Sequence, residues 1–430
     1  MIRTLSAFVL FVGIITGVWF MADTLFATSP AVNDGFTQLS GILSTAMMCF
    51  AIVLAIRPAV LEPLLNGLDK MYRLHKWLGI GALVTGLAHW LIKTGGGHEH
   101  GAPNTADAAS ETLIESLRGP AHGVAQPAMF VLFAFIIVAL VSRIPYRFFA
   151  KTHWLIAIPF AVLAFHSVVL LKDSYWSQPI GWLTLVLIAA GVVGTLYSLL
   201  GLIGKTRKVT ATVVNSTYYP ELRVLEANLN AGTGWNGHKP GQFAFITTDK
   251  KEGAHPFTIA TAWNPKTRTI GFIAKELGDF TGNLREQFAE GHAATIEGPY
   301  GCFTFEDDKP SQIWIGAGVG IAPFVAHMRQ LALTPAKKKL HLFHATADVS
   351  ELALSKMRAD AKAANVDLHI LISPRDGRLD ADKIRQAVPH WKEASIWFCG
   401  PTAFGATLKS DFMRSGIAYR DFHQEIFRMR

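Results

Sequence analysis

HKWLGIGALVTGLAH, residues 75–89, carries an imidazole at each end of an otherwise nearly apolar, helix-like run. A second run, KTHWLIAIPFAVLAFHSVVLL at 151–171, repeats the arrangement with His153 and His166. The histidines are fourteen residues apart in the first run and thirteen in the second. Ionisable groups at membrane depth are costly and mark sites when they occur. A single histidine of this kind reads equally well as a polar residue hydrogen-bonded within a helix bundle. Four of them on two similar segments read as metal ligands.

Composition sets the frame for that reading. The chain has 430 residues, 50% of them hydrophobic and 17% charged, which is too apolar for an ordinary soluble protein of this size. Long hydrophobic runs dominate up to about Gly204, whereas Lys205 to Arg430 has the composition of a soluble α/β protein. This length predicts two or three domains. The net charge of +8 sits largely in short loops between apolar runs. Membrane topology explains it better than nucleic-acid binding does. Three cysteines, Cys49, Cys302 and Cys399, are too few and too scattered for a disulfide framework or a Cys-based metal site. The first apolar run, Leu5 to Met21, ends without a small-residue cleavage site and more spans follow it, so it reads as a transmembrane helix and not a signal peptide.

Crossing the hydrocarbon takes roughly 20 apolar residues. Six candidate spans result, at about 5–21, 39–56, 74–92, 128–141, 154–171 and 180–203. Arg57, Lys70 and Arg73 lie between spans two and three with Lys76 at the start of span three, Arg143, Arg147 and Lys151 lie between four and five, and Lys205, Arg207 and Lys208 after span six. The positive-inside rule therefore predicts that both termini and the soluble half are cytoplasmic. Spans three and five then run in the same direction. His75 and His153 fall near the inner face, His89 and His166 near the outer, with roughly 20 Å between the levels at about 1.5 Å rise per residue. Two imidazoles at each of two levels predict bis-histidine ligation of two stacked haems. Thirteen residues on an ideal helix would leave His153 and His166 about 140° apart. Pro159 stands between them, and a proline kink changes the phase.

In the soluble half, Thr210 to about Phe305 alternates short β-type runs with turns, as a small antiparallel barrel would. It contains KPGQF at 239–243, HPFTI at 255–259, GDFTGNL at 278–284 and GPYG at 298–301. Thr258 on a strand offers a hydroxyl and backbone groups to a flavin ring. Gly282, Asn283 and Leu284, if they open a helix, present free N–H groups to a pyrophosphate. From Gln312 the pattern changes to strand–helix alternation and predicts a parallel sheet. IWIGAGVGIAP at 313–323 is an apolar strand entering a glycine-rich turn. Gly316, Gly318 and Gly320 let backbone approach a pyrophosphate, although Pro323 stands where the usual last glycine would be. IWFCGP at 396–401 is a second strand, with Cys399 at the sheet's carboxyl edge, where such folds bind ligands.

Together these motifs resemble the ferredoxin–NADP reductase superfamily. Joined to six spans and two histidine pairs, they resemble the NADPH oxidase and ferric reductase family over nearly the whole chain. The resemblance implies a multi-domain membrane protein: a six-helix haem-binding bundle at 1–204, an antiparallel β-barrel FAD domain at 205–308 and a doubly wound α/β NADPH domain at 309–430. It implies two b-type haems, the inner held by His75 with His153 and the outer by His89 with His166. It further implies His255, Pro256, Phe257 and Thr258 around FAD, and Gly316, Gly318, Gly320 and Pro323 at the nucleotide pyrophosphate. Cys399 and Gly400 would lie by the nicotinamide, Phe427 over the flavin ring, and Ser373 and Arg375 at the 2′-phosphate of NADPH. The chain departs from the pattern at His255, where relatives commonly carry arginine, and by extending three residues beyond Phe427.

The implied activity is electron transfer from cytosolic NADPH through FAD and two haems to an extracytoplasmic acceptor in the bacterial inner or plasma membrane. With both axial positions filled, an acceptor would be reduced without binding iron, which favours dioxygen and superoxide as product. The alternatives are a ferric or metal-chelate reductase, for which His98, Glu99, His100 and His122 form a candidate metal-collecting patch, and donation to a periplasmic partner protein. The sequence carries no sign of oligomeric state.

Overall fold

The computed structural model describes residues 2–25, 32–95, 113–141, 143–144, 146–249, 253–276 and 284–425. Gly282, Asn283, Phe427, His98, Glu99 and His100 lie outside the described residues. The chain divides into two compact units, one of residues 1–65 and 70–203, the other chiefly of residues 204–429.

The first unit is helical: α1 (Ile2–Leu25), α2 (Val32–Ala55), α3 (Leu61–Leu65), α4 (Leu68–Gly95), α5 (Leu113–Leu140), α6 (Tyr146–Leu155), α7 (Ala157–Val169) and α8 (Pro179–Leu199). Five segments are long and apolar enough to cross a membrane: Thr4–Ala22, Asp34–Ala55, Leu113–Leu140, Lys151–Val169 and Pro179–Leu199. This unit is therefore membrane-type. The remaining expected span lies in α4, which has 28 residues and a length of about 42 Å. Its lysines and arginines at 70, 73, 76 and 93 make it too polar to join the other five.

The fourth expected span begins earlier than the sequence suggests. α5 starts at Leu113 and runs through Pro120 and Pro127. Each proline removes one backbone N–H. In an apolar setting the freed carbonyls have no water to turn to, and breaking the helix would orphan more of them. His122 consequently sits within a helix and not in a loop.

Pro159 acts as expected, but the break comes three residues before it. It cannot donate to the Leu155 carbonyl, and its ring crowds that oxygen. α6 ends at Leu155, Ile156 N–H bonds the carbonyl of His153 at 3.3 Å, and α7 starts at Ala157. This break lies between His153 and His166, so an unbroken 3.6-residue turn does not fix their relative phase.

The second unit opens with antiparallel strands β1 (Lys208–Tyr219), β2 (Val224–Ala231), β3 (Phe243–Thr247), β4 (His255–Thr258) and β5 (Thr269–Lys275), the short helix α9 (Leu284–Gln287) and β6 (Ala293–Tyr300). The sheet order is β4-β3-β6-β1-β2-β5. Ile259, just past β4, bridges to Phe272 of β5, so the two ends of the sheet meet. Alternate residues point inward along each strand. Val213, Leu229, Ile246, Ile270 and Ile296 make the core.

Then follow β7 (Ser311–Ala317), α10 (Ala322–Leu333), β8 (Lys339–Thr346), α11 (Glu351–Ala363), β9 (Asp367–Ile372), α12 (Ser373–Asp376), α13 (Ala381–Ala387), β10 (Ala394–Cys399), α14 (Thr402–Arg414) and β11 (Phe422–Gln424). The strands form a parallel sheet in the order β11-β10-β7-β8-β9. Phe324 and Met328 of α10 and Met357 of α11 pack with Trp314 and Leu342 in one core. Ile384 of α13 and Leu408 and Phe412 of α14 pack with Ile313, Ile315 and Phe398 in another. Helices thus cover both faces, which is why the middles of β7 and β10 are continuous apolar runs. From β7 the chain steps to β8 on one side and has β10 on the other, so a crevice opens at the carboxyl ends of β7 and β10.

Candidate functional site

In the helical unit, His75 and His153 have ring centroids 5.7 Å apart at 66°, and His89 and His166 have theirs 6.4 Å apart at 86°. The structure thus brings the four together in the pairs read from the sequence. What the sequence did not reveal is how they are oriented. His75 Nδ1 lies 2.8 Å from the Ala51 carbonyl and His89 Nδ1 lies 2.9 Å from that of Thr37. Both carbonyls belong to α2 and are fourteen residues apart, the spacing of the two α4 histidines. A carbonyl oxygen inside a helix keeps a second lone pair, so it can accept a side-chain donor without breaking the helix. His166 Nδ1 lies 3.1 Å from the Ala121 carbonyl of α5. In all three, Nδ1–H donates to a carbonyl and Nε2 is left for other chemistry, the arrangement that orients metal-ligating imidazoles. His153 differs: its Nδ1 is buried without a hydrogen bond, and its ring stacks on Phe149 at 5.1 Å.

Space is reserved for these rings. A Cβ on Gly41 of α2 would lie 3.2 Å from the His89 ring. Among the described residues, α2 lies close to α8 and α5 close to α7, while no helix approaches α4 comparably at the backbone level. A third imidazole, His122 of α5, stands 5.9 Å from His166.

In the antiparallel sheet, His255, Pro256, Phe257 and Thr258 form β4. Thr258 is 5% exposed, and its hydroxyl is buried without a hydrogen-bond partner in the structure. An unsatisfied buried hydroxyl is costly, and a ligand's polar edge would relieve it. Phe257 packs against the sheet core. Leu284 opens α9, but its side chain is fully buried in that core, so only its backbone can face a ligand.

At the parallel sheet, Gly318 adopts φ +56°, and a Cβ on Gly320 would collide with the Cys399 carbonyl. The glycines therefore bring the turn after β7 against the end of β10, where Cys399 pairs in register with Gly316. Pro323 occupies the first turn of α10, where its fixed φ suits helix entry and its missing N–H costs nothing. The departure from the usual glycine spacing is thus a helix-start device. Cys399 is fully buried, and burial pushes its thiol well above its ordinary pKa. It is a neutral thiol, not a nucleophilic thiolate.

The cleft beside this turn is lined by Gly318, Val319, Thr346, Asp348 and Ser350 among others. His344, also on its wall, has Nδ1 3.2 Å from the Gly316 carbonyl, and burial lowers its pKa to about 4. It is neutral and holds the glycine turn, a role with no motif to announce it. Arg329 of α10 crosses the cleft to Glu226 of β2 at 3.1 Å and also pairs with Asp360 at 3.1 Å. Lys356 bonds the Tyr219 hydroxyl at 2.7 Å. Ser373 and Arg375 follow β9 directly. Arg375 is exposed, and its guanidinium forms a fork with Asp376 at 2.8 and 3.0 Å. That fork holds the Asp376 carboxyl down at about 2.

Residues 40–164 match the family described as ferric reductase like transmembrane component, and residues 208–304 match an FAD-binding domain. The chain has a ferric reductase/NADPH oxidase-like architecture. Its membrane-type half makes it an integral membrane protein, and its other half carries the FAD-binding domain. The chain is 24% identical over 208 residues to a flavohemoprotein of Oceanobacillus iheyensis, covering 44% of this chain and 51% of that one. It is also 24% identical over 214 residues to an NADPH oxidoreductase of Mycobacterium tuberculosis, covering 47% and 56%. The chain spans about half the length of the curated relatives it matches. Among solved structures, a flavohemoglobin of Malassezia yamatoensis is similar with a TM-score of 0.49 at 18% identity, covering 93% of this chain and 99% of that one.

Proposed function

We propose that this chain is a six-span, bis-haem NADPH-dependent oxidoreductase that carries electrons across the membrane to an outer acceptor, with dioxygen as that acceptor and superoxide as product. The observation that carries the reading is the pair of facing imidazoles at each of two levels, with Nδ1 committed to a carbonyl in three of the four. In each pair the two imidazoles, whose ring centroids lie 5.7 and 6.4 Å apart, would hold the iron between them, through Nε2 wherever Nδ1 is committed to a carbonyl. The residues therefore fit haem iron, with His75 and His153 as inner ligands and His89 and His166 as outer ones.

Two haems and FAD, when bound, supply hydride acceptance and one-electron carriage. The protein's part is to hold and separate them. α4 is the sixth span: its charges cluster towards its two ends, and its middle is the apolar run between His75 and His89. The basic residues flanking the even-to-odd connections put both termini and the soluble unit in the cytoplasm. The antiparallel sheet, whose ends meet at Ile259 and Phe272, is the expected barrel, with Thr258 offering its hydroxyl to the flavin. Gly316, Gly318 and Gly320 admit the nucleotide pyrophosphate, Cys399 and Gly400 border the nicotinamide, and Ser373 with Arg375 receives the 2′-phosphate.

A second reading, reduction of a ferric chelate by the same route, is favoured by the match of residues 40–164 to a ferric reductase-like component. One experiment separates the two. With NADPH and FAD in liposomes, cytochrome c reduction should be largely abolished by superoxide dismutase. Replacing His98, His100 and His122 by alanine should leave the rate nearly intact. Dismutase-insensitive reduction, together with ferric-chelate turnover that exceeds oxygen consumption and collapses in that variant, would select the second reading.

A further inference from the structure

At the opposite end of the parallel sheet from the glycine turn, two histidines and an aspartate converge. His341 on β8 pairs in register with Asp367 on β9, and His369 follows two residues later. The period of two puts all three on one face of the sheet. Asp367 Oδ2 lies 3.1 Å from His341 Nδ1 and 3.5 Å from His369 Nε2. One ligand atom from each residue falls within 4.8 Å of the others. A tetrahedral ion with bonds of about 2.0–2.1 Å has ligand-to-ligand edges of about 3.3 Å. The two measured edges bracket that value.

The rings are also held in place. His369 stacks on Phe343 at 4.4 Å and 9°, and His341 is 7% exposed. A hydrogen bond from His341 to Asp367 would by itself account for that pair. It does not account for His369, whose Nε2 is buried without a hydrogen bond and lies within reach of the same carboxylate oxygen.

We propose that His341, Asp367 and His369 form a binding site for a divalent transition-metal ion of the zinc type, separate from the haem and nucleotide sites. Two imidazoles and one carboxylate suit zinc and its first-row neighbours, whereas calcium and magnesium select oxygen donors. Three protein ligands leave a fourth position for water. The site clasps β9 to β8 at the start of β9, an edge strand bonded on one side only. β9 has six residues, so the ion lies about 20 Å along the strand from Ser373, at the far end from the nucleotide. Its effect is to hold the strand that leads into Ser373 and Arg375. None of this depends on which acceptor the protein reduces.

The test uses the full-length, cofactor-loaded protein in detergent, stripped with a chelator and then equilibrated with zinc. Wild type should retain one more zinc per chain than His369→Ala, measured by elemental analysis. In calorimetry the affinity for that zinc should fall about 100-fold or more in His369→Ala and in His341→Gln, since loss of even an outer-shell partner costs 10–100-fold. Zinc should raise the thermal midpoint of wild type and leave that of the variants unmoved. Should His369→Ala lose flavin or haem content, His369→Gln keeps a side chain of similar length and serves in its place. Equal zinc content in wild type and both variants, or a zinc-induced shift that the variants share, would overturn the site.

Discussion

At the scale of single residues, the histidines show how an ordinary side chain is readied for the ligand role proposed for it. An imidazole has two nitrogens, and a carbonyl that takes the proton of one fixes which nitrogen faces the site. Thr37 and Ala51 do this for α4, and Ala121 for α7. His89→Leu should therefore lower haem per chain from about two to about one, the remaining absorbance being that of the inner haem; full haem retention in variants of all four histidines would refute the ligand assignment. Arg375 carries a second expectation. Its fork is engaged by Asp376, so a 2′-phosphate must compete with that carboxylate. Arg375→Ala should raise the KM for NADPH about tenfold, equivalent to about 1.4 kcal/mol, and barely change that for NADH. Asp376→Asn should lower the KM for NADPH. Equal losses with both nucleotides in steady-state kinetics would give Arg375 another role.

At the scale of elements, the break between α6 and α7 has a purpose in register. Restoring a continuous helix with Pro159→Ala should turn His166 away from the direction set by His153, towards the ideal offset of about 140°. Haem content and the reduced-minus-oxidised spectrum should then show loss at one level while the soluble unit keeps its flavin. The ion network beside the cleft at the glycine turn joins β2 to α10 and α11. Arg329→Ala leaves Glu226 and Asp360 without their shared cation and should cost about 2 kcal/mol of stability, less than for a fully buried pair because these groups retain some solvent. Burial alone would raise the Glu226 pKa, but Arg329 and Lys356 outweigh it and hold the carboxyl below its ordinary value. A depressed carboxylate contributes stability above its unfolded pKa and loses it as pH falls through the folded one. The gap in thermal midpoint between wild type and Glu226→Gln should accordingly be full at neutral pH and shrink once pH drops below about 4.5, the ordinary value. A gap independent of pH would mean that the substitution acts through packing.

At the scale of the whole molecule, the proposed orientation makes a vectorial claim. In vesicles with the soluble unit facing outward, NADPH added outside should reduce an acceptor trapped in the lumen; reduction confined to the outer medium would reject it. Much of this architecture was legible in the amino-acid order, because hydrophobic length and histidine spacing are one-dimensional properties that a membrane and a helix translate directly into depth. The glycine turn, the two strand patterns and the division near Gly204 were legible for the same reason: each is a local demand on backbone or burial. Other features are set by residues distant in sequence. The carbonyls that orient the histidines carry no side-chain signature, since every residue has one. His344 beneath the glycine turn, Arg329 across the cleft and His122 beside His166 come together only when strands pair and helices pack. The run of α5 through two prolines follows from the cost of freeing further backbone groups in an apolar setting. His341, Asp367 and His369 are separated by up to 28 residues and share no motif spacing. Their meeting required the parallel pairing of β8 with β9, because strand register, which brings side chains from separate segments to one place, is a property of the folded sheet.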